Sequence, residues 1–156
     1  MEIQSLAHLG SDQLFAAFSE AFKDYELQLE QTELEVMITR RGYVPELSFG
    51  AFENDRLVSF TLNGIGNFNE IKTAYDTGTG TIEAYRGKGL ASQIFQYSVP
   101  ELKKAGVRQY LLEVLQYNTS AISVYRKQGF EVSREFNYFV EQAANVRLEK
   151  YQLPAG

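Results

Sequence analysis

The spacing of hydrophobic residues changes several times along this 156-residue chain, and each change predicts a different secondary structure. Over residues 11–40 and 87–105, apolar side chains recur every three or four positions, as on the buried face of a helix. Over residues 47–62 they alternate with polar ones, which predicts a hairpin whose second strand turns Val58, Phe60 and Leu62 to the same face. In chain order we expect strands over 3–9, 47–52, 57–62, 70–81, 107–115, 130–139 and 146–153, and helices over 11–22, 29–40, 87–105 and 119–128.

A few residues with strong local preferences indicate the helix boundaries. Ser11 or Asp12 is the expected N-cap of the first helix, because each has a side-chain oxygen that accepts a hydrogen bond from a first-turn N–H group. Gly42 is expected to end the second helix. In the third helix we expect Tyr97 to face inward and Pro100, which has no N–H group, to kink the helix or split off its last turn. This mixture of elements predicts an α+β fold.

Composition and charge exclude several classes of protein. The length predicts one domain over residues 1–156. A net charge of −5 and the absence of a basic stripe argue against a nucleic-acid partner. The chain has no cysteine, so disulfides, thiolate zinc sites and a cysteine nucleophile are excluded, and nothing near the single histidine, His8, supports a catalytic triad. We see neither a leader peptide nor a run of membrane-spanning length, and therefore expect a cytoplasmic protein without a membrane partner.

A glycine-rich segment, Arg86-Gly87-Lys88-Gly89, stands where a strand is predicted to turn into a helix. Two glycines allow a tight bend and a close approach to a ligand, and the free N–H groups of a helix start favour an anion. A Walker motif is excluded, because Gly89 follows Lys88 where serine or threonine is needed. Taken alone, the segment is also compatible with a turn that only starts a helix.

A second segment carries a tyrosine on a short predicted helix. Asn118 is its expected N-cap and Gly129 its expected C-terminal glycine. Tyr125 lies between them, and considered alone it is more typical of a core position than of a catalytic one. The order of the two segments along the chain and their separation make the pair a more specific signal than either segment alone.

Together the two segments resemble the GNAT superfamily of acetyl-CoA-dependent N-acetyltransferases, over roughly residues 45–139. The resemblance rests on Arg86-x-x-Gly89-x-Ala91, Leu112-Glu113-Val114, Asn118, Ala121, Tyr125, Lys127 and Gly129-Phe130. It implies a layered fold with a mixed, mostly antiparallel central sheet of six or seven strands and about four flanking helices. It also implies acetyl-CoA as cosubstrate and no metal.

The resemblance assigns roles to particular residues. The loop amides would hold the CoA diphosphate, the strand end before the loop would pair with the pantetheine arm, and Asn118 would contact that arm. An N–H group near Ile82 would stabilise the oxyanion, and Tyr125 would protonate the leaving thiolate. The implied cofactor residues are Thr81, Ile82, Arg86, Gly87, Lys88, Gly89, Leu90, Ala91 and Asn118.

Three acidic residues are candidates for the general base. Glu113 is the first candidate, because it precedes Tyr125 by twelve residues, the separation in GNAT enzymes that modify protein N-termini. It is equally compatible with a strand glutamate that faces solvent. Asp76 and Glu83 are lesser candidates.

The expected acceptor is a primary amine on a small molecule. Leu115 stands where the branch that modifies protein N-termini commonly has arginine, so a protein acceptor is not supported by this position. Two alternatives remain open: a non-catalytic acyl-CoA-binding sensor, and a protein N-terminal or lysine acetyltransferase. A homodimer through the closing strands is also possible.

Overall fold

The computed structural model describes residues 1–25, 28–115, 131–137 and 145–152, with residues 113–115 and the last two segments described by their backbone. Within these residues, seven strands form one sheet in the order β1-β2-β3-β4-β5-β7-β6. The strands are β1 Glu2–Ser5, β2 Phe49–Glu53, β3 Arg56–Phe68, β4 Ile71–Thr81, β5 Gln109–Leu115, β6 Glu131–Asn137 and β7 Asn145–Gln152. The α-helices are α1 Ser11–Ala21, α2 Gln31–Arg40 and α3 Leu90–Lys104.

All neighbouring strands in the sheet are antiparallel except β4 and β5. The predicted α+β fold with a mixed, mostly antiparallel sheet is therefore confirmed. The predicted helix over 119–128 lies outside the described residues. Within the described part of the chain, no helix is long and apolar enough to cross a membrane.

The sheet separates two hydrophobic cores. On one face, α1 and α2 pack against β3 through buried residues such as Leu14, Leu34 and Phe60. On the other face, α3 packs through Leu90, Ile94 and Leu102. Buried apolar area is the main favourable contribution to such a fold, so packing of the two helical layers stabilises the sheet between them.

Three local predictions about the helices differ from the structure, wholly or in part. The N-cap of α1 is Gly10, whose N–H group donates to Gln13 Oε1 at 3.1 Å, and not Ser11 or Asp12. Helix α3 continues through Pro100 to Lys104, so its last turn is not split off, and the alternative of a kink at Pro100 stays a prediction. Tyr97 is 41% exposed, because it lies at the edge of the buried face and contacts the Phe49 ring from the side, at 5.6 Å between centroids.

The predicted face of β3 was also wrong at one residue. The pairing of β2 with β3 shifts register between Ala51 and Phe52. The extra residue turns Val58 into the α3 core, whereas Phe60 and Leu62 face α1 and α2. A β-bulge of this kind reverses side-chain direction locally, which strict alternation does not anticipate.

Candidate active site

The segment between β4 and α3 folds as a tight turn that requires glycine. A 3-10 turn over Glu83–Tyr85 follows β4, and Gly89 is the N-cap of α3. Gly87 and Gly89 have φ angles of +76° and +74°, in the left-handed region that side chains with a Cβ disfavour. A Cβ atom would meet nothing within 4 Å at Gly87, and at Gly89 only the Gln93 amide at 4.0 Å. The space beside the turn is therefore open to a ligand among the described residues.

The charges around this turn favour an anion. The first N–H groups of a helix have no carbonyl partner within the helix, and they carry the positive end of its dipole. The first turn of α3 contains no acidic residue to offset that charge. Lys88 adds a cation, with its Nζ 5.4 Å from the centroid of the Tyr85 ring. These are the properties of a phosphate-binding turn.

Arg86 contacts protein backbone on both sides of the turn. Its Nε donates to the Thr81 carbonyl at 3.0 Å, and one terminal nitrogen donates to the Ala21 carbonyl at the end of α1 at 2.9 Å. An exposed ion pair between Lys23 Nζ and Glu83 Oε2, at 3.4 Å, joins the same two regions. The Arg86 guanidinium thus ties the turn to α1, and the two glycines, Lys88 and the helix start remain to face an anion.

A cleft opens beside β4 at the end of its pairing with β5. The parallel pairing covers Thr73–Tyr75 and Gln109–Leu111 among the described residues, although β4 continues to Thr81 and β5 to Leu115. Beyond these three pairs the two strands separate. Among the described residues, one edge of β4 is therefore unpaired between Asp76 and Thr81, and this edge leads directly into the glycine turn.

Alternation along β4 decides which backbone groups face that cleft. The Ile82 N–H group donates to the Val58 carbonyl at 2.9 Å, so this group is engaged on the β3 side. Successive residues of a strand direct their N–H and C=O groups to opposite edges. Thr79 and Thr81 consequently direct theirs toward the cleft, and the Thr81 carbonyl is the one that Arg86 contacts. Of the predicted pair, Thr81 has its backbone at the cleft, and the Ile82 side chain is buried in the core.

Asp76 lies where the cleft begins and has an unusual environment for a carboxylate. The pairing of β3 with β4 shifts register at Leu62/Asn63, and Asp76 lies at this irregularity. Its two oxygens accept hydrogen bonds from the Gly78 N–H group at 2.9 Å and the Thr79 hydroxyl at 2.6 Å. Burial raises the pKa of Asp76 to about 6, although both hydrogen bonds act in the opposite direction.

The remaining predicted catalytic residues are only partly located. The backbone of Glu113 pairs with Leu148 on β7 and lies two residues beyond the last residue of β5 that pairs with β4. Glu113 and Asp76 are therefore on the two strands that border the beginning of the cleft. Asn118 and Tyr125 lie outside the described residues, so their assigned roles stay predictions.

The Asp76 turn has a local signal in the sequence that the sequence-based predictions did not use. The string Asp76-Thr77-Gly78-Thr79 has the residue types of an Asx-turn, in which an aspartate accepts a hydrogen bond from the N–H group two residues later. That signal was present in the sequence. The sequence does not show the register shift that places this strand carboxylate at the end of the β4–β5 pairing.

An open groove of about 560 Å³ runs along α2. One of its lining residues, Arg41, donates from Nη1 to the Thr77 carbonyl at 3.3 Å, which brings one end of the groove to the β4 irregularity. Its walls are Leu29, Thr32, Glu33, Val36, Met37, Arg40 and Arg41. Among the described residues, no three acidic or histidine side chains lie close enough together to hold a metal ion.

Comparison with known proteins connects this geometry to a family. A sequence profile of the acetyltransferase (GNAT) family matches residues 11–130. The chain is 26% identical over 124 residues to the N-alpha-acetyltransferase MAK3 of Arabidopsis thaliana, covering 77% of this chain and 65% of that protein. It is 28% identical over 110 residues to N-alpha-acetyltransferase 30 of Schizosaccharomyces pombe, covering 69% of this chain and 73% of that one.

The fold is shared with solved structures at low sequence identity. A chain of the NatC complex bound to Gag peptide and CoA superposes with a TM-score of 0.80 at 16% identity, covering 99% of this chain and 100% of that one. At this identity the likeness concerns the fold alone.

Proposed function

Because the chain belongs to the GNAT acetyltransferase family, we propose that it binds acetyl-CoA in the cleft beside β4 and transfers the acetyl group to a primary amine. The observation that carries this proposal is the continuity of two features. The open edge of β4 ends in a turn with two left-handed glycines and an acid-free helix start. A ligand with an extended arm that ends in a diphosphate would fit along the open strand edge and into the turn.

The cofactor would be held by backbone more than by side chains. N–H groups of the turn and the first turn of α3, in the segment Arg86 to Ala91, would bind the diphosphate, with Lys88 nearby as a cation. Backbone groups of Thr79 and Thr81 would pair with the amides of the pantetheine arm as an added strand would. From Thr81 to Asp76 an extended strand covers roughly 16 Å. The arm would thus carry the thioester to the beginning of the cleft.

The chemistry at that end is a direct attack. The amine nitrogen forms a bond to the thioester carbonyl carbon, the carbon–sulfur bond breaks, and CoA leaves as a thiolate. A base takes the proton that the amine loses, and a donor protonates the thiolate; we assign the second role to Tyr125, following its position in the motif. The oxyanion would be stabilised by a backbone N–H group at the beginning of the cleft, because the predicted donor near Ile82 lies at the diphosphate end of β4, where the Ile82 N–H group itself donates to the Val58 carbonyl at 2.9 Å.

Glu113 and Asp76 are the two candidates for the base. Both lie on strands that border the start of the cleft. With a pKa of about 6, Asp76 would be mostly ionised at neutral pH, and its pKa would be close enough to that pH for the carboxylate to accept a proton from the amine. The variants Glu113→Gln and Asp76→Asn distinguish the two candidates. The variant that removes the base should have a kcat lowered by roughly 10²–10⁴-fold, and the kcat of the other should remain within about threefold of wild type.

Two acceptor classes are supported by different observations. A small-molecule amine is favoured by Leu115, which replaces the arginine common in enzymes that modify protein N-termini. The α-amine of a polypeptide is favoured by the two N-alpha-acetyltransferase relatives, whose alignments cover most of this chain. The open groove along α2, with Arg40 and Arg41 at one end, is accessible to either.

The experiment is release of free CoA thiol in the presence of acetyl-CoA and two acceptor panels, one of small primary amines and one of short peptides with free N-termini. Turnover with one panel identifies the acceptor class. Binding of acetyl-CoA without turnover on both panels would instead support the non-catalytic sensor. Gly89→Glu tests the cofactor site, because it adds bulk and negative charge where the diphosphate would lie. Retained CoA affinity in this variant would contradict the assignment of the turn.

A further inference from the structure

A buried hydrogen bond crosses the sheet at the point where β4 and β5 separate. The Tyr110 hydroxyl on β5 donates to Asn63 Oδ1 on β3 at 2.5 Å, so the bond spans the intervening strand β4. Both side chains are almost fully buried, Tyr110 at 2% exposure and Asn63 at 0%. On the strand that they cross, Ala74 pairs with Tyr110 and is fully buried. Its side chain is a single methyl group.

The Asn63 end of this bond is held from several sides. Asn63 Nδ2 donates to the Leu47 carbonyl at 2.8 Å, its backbone N–H donates to Ser48 Oγ at 2.8 Å, and its carbonyl accepts from the Val44 N–H at 3.0 Å. The Ser48 hydroxyl in turn donates to the Val44 carbonyl at 2.8 Å. A buried polar network in which the members are satisfied is rigid, because each lost partner leaves a group unpaired away from water.

The Tyr110 end lies beside the cleft. Tyr110 is the middle one of the three β5 residues that pair with β4, and its ring packs edge-on against Phe95 of α3, with 5.8 Å between centroids. On the other side, Asn63 pairs with Asp76, the first β4 residue past the pairing with β5. One hydrogen bond therefore connects the last paired residues of β5 to the β4 irregularity through β3.

We propose that the Tyr110–Asn63 hydrogen bond fixes where β4 and β5 separate, and that Tyr110 is thereby a positioning residue for the thioester. The inference rests on the proposed function, since the acetyl end of the cofactor must reach this point. Because three residue pairs join these strands within the described part of the chain, loss of the bond lets the beginning of the cleft shift. The diphosphate turn lies at the other end of β4 and is unaffected. Tyr110 acts through the strands and does not itself touch the reacting atoms.

The test is Tyr110→Phe, which removes the hydroxyl and keeps the ring against Phe95. The matched control is Ser48→Ala, which unpairs the Asn63 backbone N–H in the same network but leaves the Tyr110–Asn63 bond in place. Should Tyr110→Phe fold poorly, the double variant Tyr110→Phe/Asn63→Leu removes the unpaired Asn63 acceptor together with the hydroxyl, although the Leu47 carbonyl then loses its Asn63 Nδ2 donor.

Two readouts are measured with acetyl-CoA carrying carbon-13 at the carbonyl, at a temperature where every variant is folded: the dissociation constant by calorimetry and the chemical shift of the bound carbonyl. For Tyr110→Phe we expect the dissociation constant to stay within about threefold of wild type, with a bound carbonyl resonance moved from the wild-type value toward that of free acetyl-CoA. Ser48→Ala should keep the wild-type resonance despite a lower thermal midpoint. A wild-type resonance in Tyr110→Phe, or the same displacement in both variants, would overturn the positioning role. Absence of acetyl-CoA binding by the wild-type protein would instead contradict the proposed function.

Discussion

Replacement of Asp76 by asparagine should change how the stability of the protein depends on pH. The pKa of Asp76 is raised from 3.8 to about 6 by burial. The folded protein therefore binds this proton more tightly than the unfolded chain. Below about pH 4 the carboxyl group is protonated in both states and contributes no penalty. As the pH rises through 6, folding must retain an ionised carboxylate in a poorly hydrated site, and stability is lost.

The size of this effect follows from the shift. A change of about two pKa units, at 1.36 kcal/mol per unit, corresponds to roughly 3 kcal/mol between acid and neutral pH. Asparagine has a similar shape, can accept from the Gly78 N–H group through Oδ1, and can donate to the Thr79 hydroxyl through its amide. Asp76→Asn should therefore become more stable relative to wild type as the pH rises, by up to about 3 kcal/mol.

The measurement is urea unfolding of both proteins at several values between about pH 4 and pH 8. Asp24→Asn, which removes an exposed carboxylate, reports the effect of the net-charge change alone. A stability difference between Asp76→Asn and wild type that stays constant over this range would refute the raised pKa. It would also remove the main physical reason for considering Asp76 as a base.

Two further predictions concern backbone contacts that hold the site. A Cβ at Gly64 would lie 1.9 Å from the Arg41 carbonyl oxygen, so Gly64→Ala should cost more than about 3 kcal/mol of stability or prevent folding. In the control, Gly66→Ala, the added Cβ meets nothing within 4 Å, and this variant should be nearly neutral. Equal urea midpoints for the two variants would contradict the contact at Gly64. Arg86→Ala removes two hydrogen bonds to backbone carbonyls and should cost about 1–2 kcal/mol. Arg56→Ala removes an exposed ion pair to α1 and should cost under about 1 kcal/mol, so an equal or smaller loss for Arg86→Ala would count against its linking role.

The features that sequence predicted well depend on short-range preferences. Gly42 follows the C-cap of α2 with a positive φ, as local backbone preference favours. The inward face of α3 followed from the spacing of Leu90, Ile94 and Leu102. The glycine turn was found for the same reason, because its residue types and the helix after it are contiguous in the chain.

The features that sequence missed depend on pairing between distant residues. Val58 changes face because β2 and β3 shift register, and alternation within one strand carries no information about such a shift. Asp76 acquires its raised pKa from burial, which is not visible in its neighbours along the chain. Tyr110 was part of an apolar strand in the sequence, and its partner Asn63 lies 47 positions away.

A crystal structure with CoA bound tests the central claim most directly, because it shows where the diphosphate lies relative to the turn between β4 and α3. The account predicts diphosphate oxygens within hydrogen-bonding distance of N–H groups in the segment Gly87 to Ala91, with the pantetheine arm paired along the open edge of β4 beside Thr79 and Thr81. A CoA molecule bound elsewhere, with this turn and strand edge free of ligand, would contradict it.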